Sequence, residues 1–347
     1  MLDSMKDPIG IAIVGVGGGV ATTIAAGLEL LRDGAIGTEG LPLAEFDGTS
    51  NLAGYAQLRV AGWDLSADDL ATAAAGHRVV SPELLEKARP ELEIIRPWPA
   101  IGNEAFCRNV TGEHLRRENG HRGVIAKVQA DLSDFADKLG GKRIVVINLA
   151  STEKVPDLAH PAMADIAAVV TALDENDPGI SPSMLYAYAS IMAGFPYGNF
   201  TPNVAAEVPA LCELARSRGV PVAGRDGKTG QTFLKTVLAP ALRARALHVD
   251  GWYSTNILGN RDGQALDDPA SLASKLGTKG DVLDSMLGYP VPDHIVQISY
   301  YKPRGDAKEA WDNIDLTGFL GEKMQLKVNF LCKDSILAAP LVIEIVR

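Results

Sequence analysis

Cysteine, long apolar runs and an N-terminal basic stretch are all scarce in this sequence. It has three cysteines, which lie far apart and form no CxxC pair: Cys107, Cys212 and Cys332. They therefore predict neither a disulfide framework nor a zinc knuckle, and we interpret them as small buried side chains in a reducing compartment. No apolar run reaches the roughly 20 residues that span a bilayer, and the first residues do not resemble a signal peptide. We expect a cytoplasmic protein that does not bind membranes.

Basic residues are also in the minority, with 33 Lys and Arg against 43 Asp and Glu and a formal net charge of −10. A nucleic-acid-binding protein usually shows a basic footprint, so we expect no nucleic-acid partner. An acidic protein can still bind a small phosphorylated ligand, because a few lysines create a local positive site. The length of 347 residues favours two domains, or one large α/β domain with an insertion.

Strands and helices alternate through the first part of the chain. The run at 9–14 predicts a buried parallel strand, a second strand is predicted at 143–149, and helices are predicted at 67–75 and 111–139. The first of these helices would be capped by Ser66 with Asp69. Such alternation is typical of a doubly wound parallel sheet.

After about residue 198 the predicted strands follow one another more closely. We predict an α/β protein: a Rossmann-like doubly wound parallel sheet with an inserted α+β domain. The dinucleotide-binding domain would comprise residues 1–197 and 306–347, whose last helix packs back onto it. The inserted catalytic and oligomerisation domain would be 198–305.

A glycine-rich loop follows the first predicted strand and opens a helix. Its residues are Gly15, Gly17, Gly18, Gly19 and Val20. Glycines in this setting let the backbone approach a pyrophosphate at a helix N-terminus. Valine occupies the third glycine position of the usual pattern, and an ordinary strand-to-helix turn is the alternative.

Two further features could complete a dinucleotide site. An acidic residue should end the second strand and bind a ribose, and either Asp47 or Asp64 could be that residue. Small and hydroxyl side chains follow the strand at 143–149, where a ligand crevice is expected. Ser151 in that run could equally be a simple cap.

Six of the 15 lysines lie between residues 198 and 308. One of them, Lys228, lies in a polar loop with Asp226, and a helix N-terminus with lysine and hydroxyl groups can hold a phosphate. Lys228 and Lys235 are seven residues apart and would share a helix face. A single exposed lysine is more often solvated surface, and the six histidines show no metal-ligand spacing.

The order of the motifs resembles that of the inositol-1-phosphate synthase family. The matching segments run nearly end to end: VGVGGGVATT, GWDLS, NLASTE, AGFPYGNFTPN, DGKTGQTFLK, NILGNRDG, SKLGTKGDVLD, GDAKEA and CKDSILAAPL. The resemblance implies conversion of glucose 6-phosphate to inositol phosphate by internal oxidation, enolisation, aldol cyclisation and re-reduction. It also implies tightly held NAD and a homotetramer. A divalent or monovalent cation is left open, with no metal ligands readable.

The resemblance further implies three groups of site residues. The catalytic residues would be Lys228, Lys235, Lys275, Lys279, Asp262 and Asp306. The cofactor-binding residues would be Gly15, Gly17, Gly18, Gly19, Val20, Asp64, Asn148, Ala150, Ser151, Thr152, Gly194, Asp226, Asp334 and Ser335. The substrate-binding residues would be Thr201, Asn203, Thr229, Gly230, Gln231, Asn260 and Lys308.

Among the lysines, Lys235 and Lys279 would handle charge at the reacting carbons, and Lys228 and Lys275 would lie nearer the phosphate or the sugar hydroxyls. Phe233 stands where many relatives have a lysine, so that contact is missing or is supplied by Lys308 or Arg261. Two other functions stay open. The chain could be an NAD-dependent dehydrogenase of another sugar phosphate, or an NAD-binding protein without catalytic activity.

Overall fold

The computed structural model describes residues 7–102, 104–108, 110–141, 143–260, 263–264 and 281–347. Within them a parallel sheet of six strands has the order β3-β2-β1-β4-β5-β6. The strands are β1 Ile9–Val14, β2 Leu58–Asp64, β3 Trp98–Pro99, β4 Ile144–Asn148, β5 Tyr197–Asn199 and β6 Val222–Gly224. The strand order reverses between β1 and β4, which is where a doubly wound sheet opens a crevice for ligands. The predicted doubly wound sheet is confirmed.

Helices cover both faces of this sheet. They are α1 Gly19–Arg32, α2 Leu70–His77, α3 Pro82–Glu93, α4 Gly120–Lys138, α5 Ile166–Asp174, α6 Pro182–Ala193 and α7 Pro209–Arg218. Successive side chains of β1 enter opposite cores, because side chains alternate along a strand. Ile11 and Ile13 pack with α1, α2 and α3, whereas Ala12 and Val14 pack with α4 and α6.

A second sheet of four strands follows, with the order β10-β9-β7-β8. The remaining elements are α8 Gln231–Ala244, β7 His248–Leu258, α9 Asp281–Leu287, β8 Asp293–Tyr300, β9 Ala307–Thr317, β10 Lys323–Lys333 and α10 Asp334–Val346. Strands β7 and β8 are parallel, and β9 is antiparallel to both β7 and β10. One face of this sheet packs on α8 and α9 through Trp252 and Ile314.

The residue ranges of the two sheets do not coincide with the predicted domain boundaries at residues 198 and 306. Strands β5 and β6 belong to the parallel sheet, although the predicted inserted domain began at residue 198. Strand β9 was not predicted, and β9 and β10 pair in the second sheet, so only α10 returns to the first unit beyond residue 306. Val342 and Ile343 of α10 pack in the core formed with α1, which agrees with the predicted return of the last helix.

Two predicted helix starts were wrong. Helix α2 begins at Leu70, and its cap is Asp69, whose side chain accepts a hydrogen bond from Thr72 N. Ser66 instead donates from its hydroxyl to Asp68 within the preceding turn. Helix α4 begins at Gly120 rather than near residue 111. A local cap therefore sets the start of α2, whereas at the start of α4 the His121 N–H donates to Asn176 Oδ1, far away in the sequence.

Candidate functional site

A cleft of about 350 Å³ lies at the carboxyl ends of β1 and β4. The glycine loop and the residues after β4 form one side of it, and the starts of α8 and α10 form the other. The cleft therefore sits where the parallel sheet meets the second sheet. Most of the predicted site residues of the described part of the chain line it: Gly15, Gly18, Gly19, Val20, Asp64, Ala150, Ser151, Thr152, Thr201, Asp226, Thr229, Gly230, Gln231, Asn260, Asp306, Lys308, Asp334 and Ser335.

The glycine loop is shaped by the strands beside it. Gly15 has a φ of +84°, and a Cβ atom there would lie 3.1 Å from Leu149 O. The backbone N–H groups of Gly15 and Val16 both donate to Trp63 O at the end of β2. Gly18 precedes α1 and, among the described residues, no side chain caps that helix. The first turn of α1 therefore offers its N–H groups and the positive end of its dipole to an anion.

Asp64 is the acidic residue that ends β2, whereas Asp47 lies in a turn before that strand. Its Oδ2 accepts from Gly17 N at 2.8 Å, and its Oδ1 accepts from Ser66 N at 3.0 Å. The carboxylate is buried and lies beside the glycine loop. A carboxylate in this place is typical of a site that binds the ribose hydroxyls of a dinucleotide.

A buried amide network supports the opposite end of the cleft. Asn148 donates from Nδ2 to Ser183 Oγ at 3.1 Å and accepts at Oδ1 from Ala150 N at 3.1 Å. Asn203 donates to Ser183 Oγ at 3.1 Å and accepts from Glu153 N at 2.8 Å. Neither asparagine lines the cleft itself. Both accept hydrogen bonds from backbone N–H groups of the loop after β4 and so hold that loop in position. The sequence had instead predicted direct contact with a ligand.

An ammonium group and a carboxylate from different elements meet in the cleft. Lys308 of β9 donates from Nζ to Oδ1 of Asp334, at a distance of 3.1 Å, and its side chain is 8% exposed. Asp334 begins α10 and also accepts from Thr229 Oγ1 at 2.8 Å. A Cβ atom on Gly230 would lie 2.7 Å from Lys308 Nζ. The absence of a side chain at Gly230 thus leaves room for this ammonium.

Asp306 forms a second polar cluster close to the glycine loop. It accepts from Ser335 Oγ at 2.8 Å, from Ser335 N at 3.1 Å and from Asn260 Nδ2 at 3.2 Å. Burial raises the pKa of Asp306, and the hydrogen bonds from Ser335 oppose that rise. A Cβ atom on Gly19 would lie 2.9 Å from Ser335 Oγ. The second sheet and α10 are thereby joined to the start of α1.

Besides Asn148 and Asn203, four other predicted site residues of the described part of the chain lie outside the cleft lining. Lys235 is 1% exposed and places its Nζ 2.6 Å from His294 Nε2, on the side of α8 that faces the second sheet. Lys228 forms an ion pair with Asp226 at 2.9 Å before α8 begins, so it does not share a helix face with Lys235. Gly194 caps the end of α6. Gly17 borders a neighbouring cavity rather than this cleft.

Phe233 also lies outside the cleft lining. It is 42% exposed, and its ring packs on Phe330 of β10 with 6.2 Å between the ring centroids. Three predicted catalytic residues, Asp262, Lys275 and Lys279, lie outside the described residues. Within the part of the chain that is described, no three His, Cys, Asp or Glu side chains lie together as a metal site.

Sequence reasoning missed several parts of the cleft wall. Lining residues without a predicted role include Ala100, Ile101, Gly102, Glu104, Cys107, Val110, Thr111, Gly112, Leu115, Glu153 and Ser183. His77 places its Nε2 2.8 Å from Gly17 O and steadies the glycine loop. Glu153 follows β4, and this position in the sequence is the only feature that could have indicated a place in the cleft. The other residues approach the cleft through tertiary contacts that no local pattern indicates.

The parallel sheet with reversed strand order, the uncapped glycine loop and the carboxylate at the end of β2 define a dinucleotide-binding α/β protein. An ammonium–carboxylate pair faces the same cleft. Comparison with known proteins then specifies the family. Residues 43–347 match the model of an NAD-binding family described as Myo-inositol-1-phosphate synthase. The chain belongs to this family.

Individual relatives agree with that assignment. The chain is 39% identical to "Inositol-3-phosphate synthase 1" of Bacteroides thetaiotaomicron, over 97% of this chain and 83% of that protein. It is 29% identical to a protein of the same name from Oryza sativa, over 97% of this chain and 73% of that protein.

Solved structures are also similar. The crystal structure of inositol-3-phosphate synthase from Caenorhabditis elegans has a TM-score of 0.90 at 26% identity, covering 98% of this chain and 74% of that one. A myo-inositol-1-phosphate synthase-related protein from Thermotoga maritima has a TM-score of 0.76 at 26% identity, covering 98% of this chain and 86% of that one. None of the helices in the described ranges has the length and apolar character needed to cross a membrane.

Proposed function

We propose that this chain is an inositol-3-phosphate synthase, which converts D-glucose 6-phosphate to 1D-myo-inositol 3-phosphate with NAD that is regenerated in every turnover. The observation that carries the proposal is a single cleft that joins a dinucleotide-type glycine loop to the buried Lys308–Asp334 pair. The relative with 39% identity has the name of this enzyme. The reaction is redox-neutral overall, so an enclosed cofactor suits it.

The residues of the first unit fit NAD. The uncapped start of α1 would hold the pyrophosphate through backbone N–H groups, and Asp64 would accept hydrogen bonds from ribose hydroxyls. The segment from Ala150 to Thr152 would lie toward the nicotinamide, because it follows β4 on the other side of the crevice. NAD, when bound, supplies a group that can accept and return a hydride. The carboxylate of Asp64 would repel a 2′-phosphate, so we expect NAD rather than NADP.

Lys308 is the described residue best placed to stabilise negative charge on a sugar substrate. Enolate and alkoxide oxygens develop during cyclisation, and a fixed ammonium in a site that excludes water stabilises them most. Asp334 and the packing against Gly230 hold Lys308 in one place. Because Lys308 is already held in place, its ammonium does not have to be reoriented when negative charge develops on the substrate, as a mobile surface lysine would.

The remaining site roles rest on motif resemblance. Lys275, Lys279 and Asp262 stay in the proposal through their motifs alone, and Lys228 remains a candidate for a phosphate contact next to Asp226. Lys235 is the weakest of the predicted catalytic residues, because its ammonium contacts His294 instead of the cleft. A divalent or monovalent cation is not assigned ligands: Asp306 and Asp334 are both engaged by neighbouring donors.

We also propose a cytoplasmic homotetramer. One face of the second sheet carries α8 and α9, and the opposite face exposes Ile295 to 47% and Leu331 to 60%. Apolar side chains on an open sheet face favour association with another subunit. Light scattering on the purified protein would measure the subunit number, and a monomer would contradict this part of the proposal.

One experiment separates the three candidate functions. The purified protein is analysed for bound NAD by mass spectrometry, then mixed with glucose 6-phosphate, and both inositol phosphate and NADH absorbance are followed. We expect inositol phosphate without net NADH. Accumulating NADH would indicate an ordinary dehydrogenase. Bound NAD with unchanged sugar phosphate would indicate a non-catalytic binding protein.

A further inference from the structure

Glu153 is a buried carboxyl group in the cleft wall with one oxygen that lacks a partner. The residue is 5% exposed, and its Oε1 accepts from Ser183 N at 3.2 Å and from Ser183 Oγ at 2.9 Å. No group among the described residues forms a hydrogen bond with Oε2, although that atom is shielded from solvent. A buried polar atom without a partner destabilises the folded state, because it has lost its hydrogen bonds to water. This cost indicates that Oε2 serves a ligand.

The hydrogen bonds around Glu153 determine where its proton can lie. Ser183 Oγ accepts from Asn148 Nδ2 and from Asn203 Nδ2, each at 3.1 Å. A hydroxyl has a single proton to donate, so the Ser183 hydroxyl donates it to Oε1. Oε1 of Glu153 therefore accepts two hydrogen bonds, one from the Ser183 backbone N–H and one from the Ser183 hydroxyl. When the carboxyl group is protonated, its proton is on Oε2 and can be donated into the cleft.

The surroundings favour the protonated form near neutral pH. Burial raises the pKa of Glu153 to about 7, while the hydrogen bonds from Ser183 and the nearby Ser181 hydroxyl, which itself donates to Val204 O, lower it. The described groups that shift this pKa include no cation. Two titratable side chains face it, Tyr186 of α6 and Tyr197 of β5. Both stay neutral, because burial raises their pKa values far above 10.

The position of Glu153 indicates which part of a dinucleotide it would meet. Asp64 at the end of β2 marks the ribose of the adenosine half, and the dinucleotide crosses the crevice from there toward β4. Glu153 follows β4 by five residues in the sequence and lies on that far side. We propose that protonated Glu153 donates from Oε2 to the carboxamide oxygen of the nicotinamide and thereby fixes the orientation of the ring. This inference rests on the NAD site of the proposed function.

The test compares two nucleotides by isothermal titration calorimetry. ADP-ribose shares every group of NAD except the nicotinamide. The protonated fraction of a group with a pKa of about 7 falls about tenfold from pH 6 to pH 8, so NAD should bind about tenfold more weakly at pH 8 relative to ADP-ribose. Glu153→Gln keeps an acceptor for Ser183 and a permanent donor toward the cleft, and it should abolish this pH dependence. Glu104→Gln, at an exposed cleft residue, should keep it.

The possible results separate a failure of the Glu153 contact from a failure of the proposed NAD site. If NAD and ADP-ribose respond equally to pH in the unaltered protein, Glu153 does not contact the carboxamide, and this holds even if the variant does not fold. A Glu153→Gln protein that keeps the pH dependence of the unaltered protein overturns the proposal as well. If the unaltered protein binds neither nucleotide, the NAD site itself is wrong and both proposals fail.

Discussion

Replacing Lys235 by methionine should stabilise the protein at neutral pH. The Lys235 ammonium is enclosed between α8 and the second sheet, where its described partner is the ring nitrogen of His294. Burial lowers the pKa of Lys235 from 10.5 to about 8. Burial and the nearby ammonium also lower the pKa of His294 to about 4, so the ring stays neutral and accepts the hydrogen bond.

The size of the effect follows from the pKa of Lys235. One pKa unit corresponds to about 1.4 kcal/mol, so the lowering from 10.5 to about 8 means that the buried charge destabilises the folded state by about 3 kcal/mol at pH 7. Methionine has a similar length and no charge. Its substitution leaves His294 without its donor, which costs about 1–2 kcal/mol. We expect Lys235→Met to be more stable by about 1–2 kcal/mol at pH 7.

The dependence on pH gives a sharper signature than the value at pH 7. The pKa of Lys235 is lower in the folded state, so its destabilising effect is complete below pH 8 and disappears as the pH rises to 10.5. The unaltered protein should therefore gain about 3 kcal/mol relative to Lys235→Met across this interval. Urea unfolding of both proteins at a series of pH values measures the difference. Lys87→Met removes a half-exposed lysine paired with Glu83 and should change stability by less than about 1 kcal/mol at every pH.

A different result would refute this account of Lys235. If Lys235→Met is less stable at pH 7 and the difference does not change up to pH 10, the ammonium is stabilised by its surroundings instead of being strained by burial. Turnover of the same variant tests the role predicted from the sequence. If the folded Lys235→Met protein binds NAD but forms no inositol phosphate, Lys235 has the catalytic role that the sequence predicted.

Three further predictions follow from the site and its supports. Asp64→Asn should weaken NAD binding by about 1–2 kcal/mol and reduce the preference for NAD over NADP, as calorimetry with both nucleotides would show. The control Asp68→Asn, on the same turn, should bind NAD with unchanged affinity. Lys308→Met should lower kcat by about 100-fold or more while NAD still binds; a kcat near that of the unaltered protein would exclude its charge-stabilising role. Asp69→Ala should lower the unfolding free energy by about 1 kcal/mol through loss of the α2 cap, and Ser66→Ala should have a smaller effect in the same urea experiment.

Local sequence was enough to predict the parts of the site that local backbone forms. The glycine loop of 15–19 and the strand before it are predictable, because a strand, a tight turn and a helix each have a short-range signature. The motif order identified the family, and it named Lys308, Asp334 and Thr229 before their contacts were known. Asp64 stayed one of two alternatives, because β2 has only a weak apolar pattern.

Tertiary structure decided which of these residues act together. Lys228 and Lys235 belong to one sequence motif, yet α8 begins only at Gln231 and turns Lys235 toward His294. The partly unpaired carboxyl of Glu153 depends on Ser183, thirty residues away in the chain. By itself the sequence determined the fold class, the family and the dinucleotide loop, since these depend on neighbours along the chain. Burial, proton positions and the division of lysines between cleft and core required the fold, because they depend on neighbours in space.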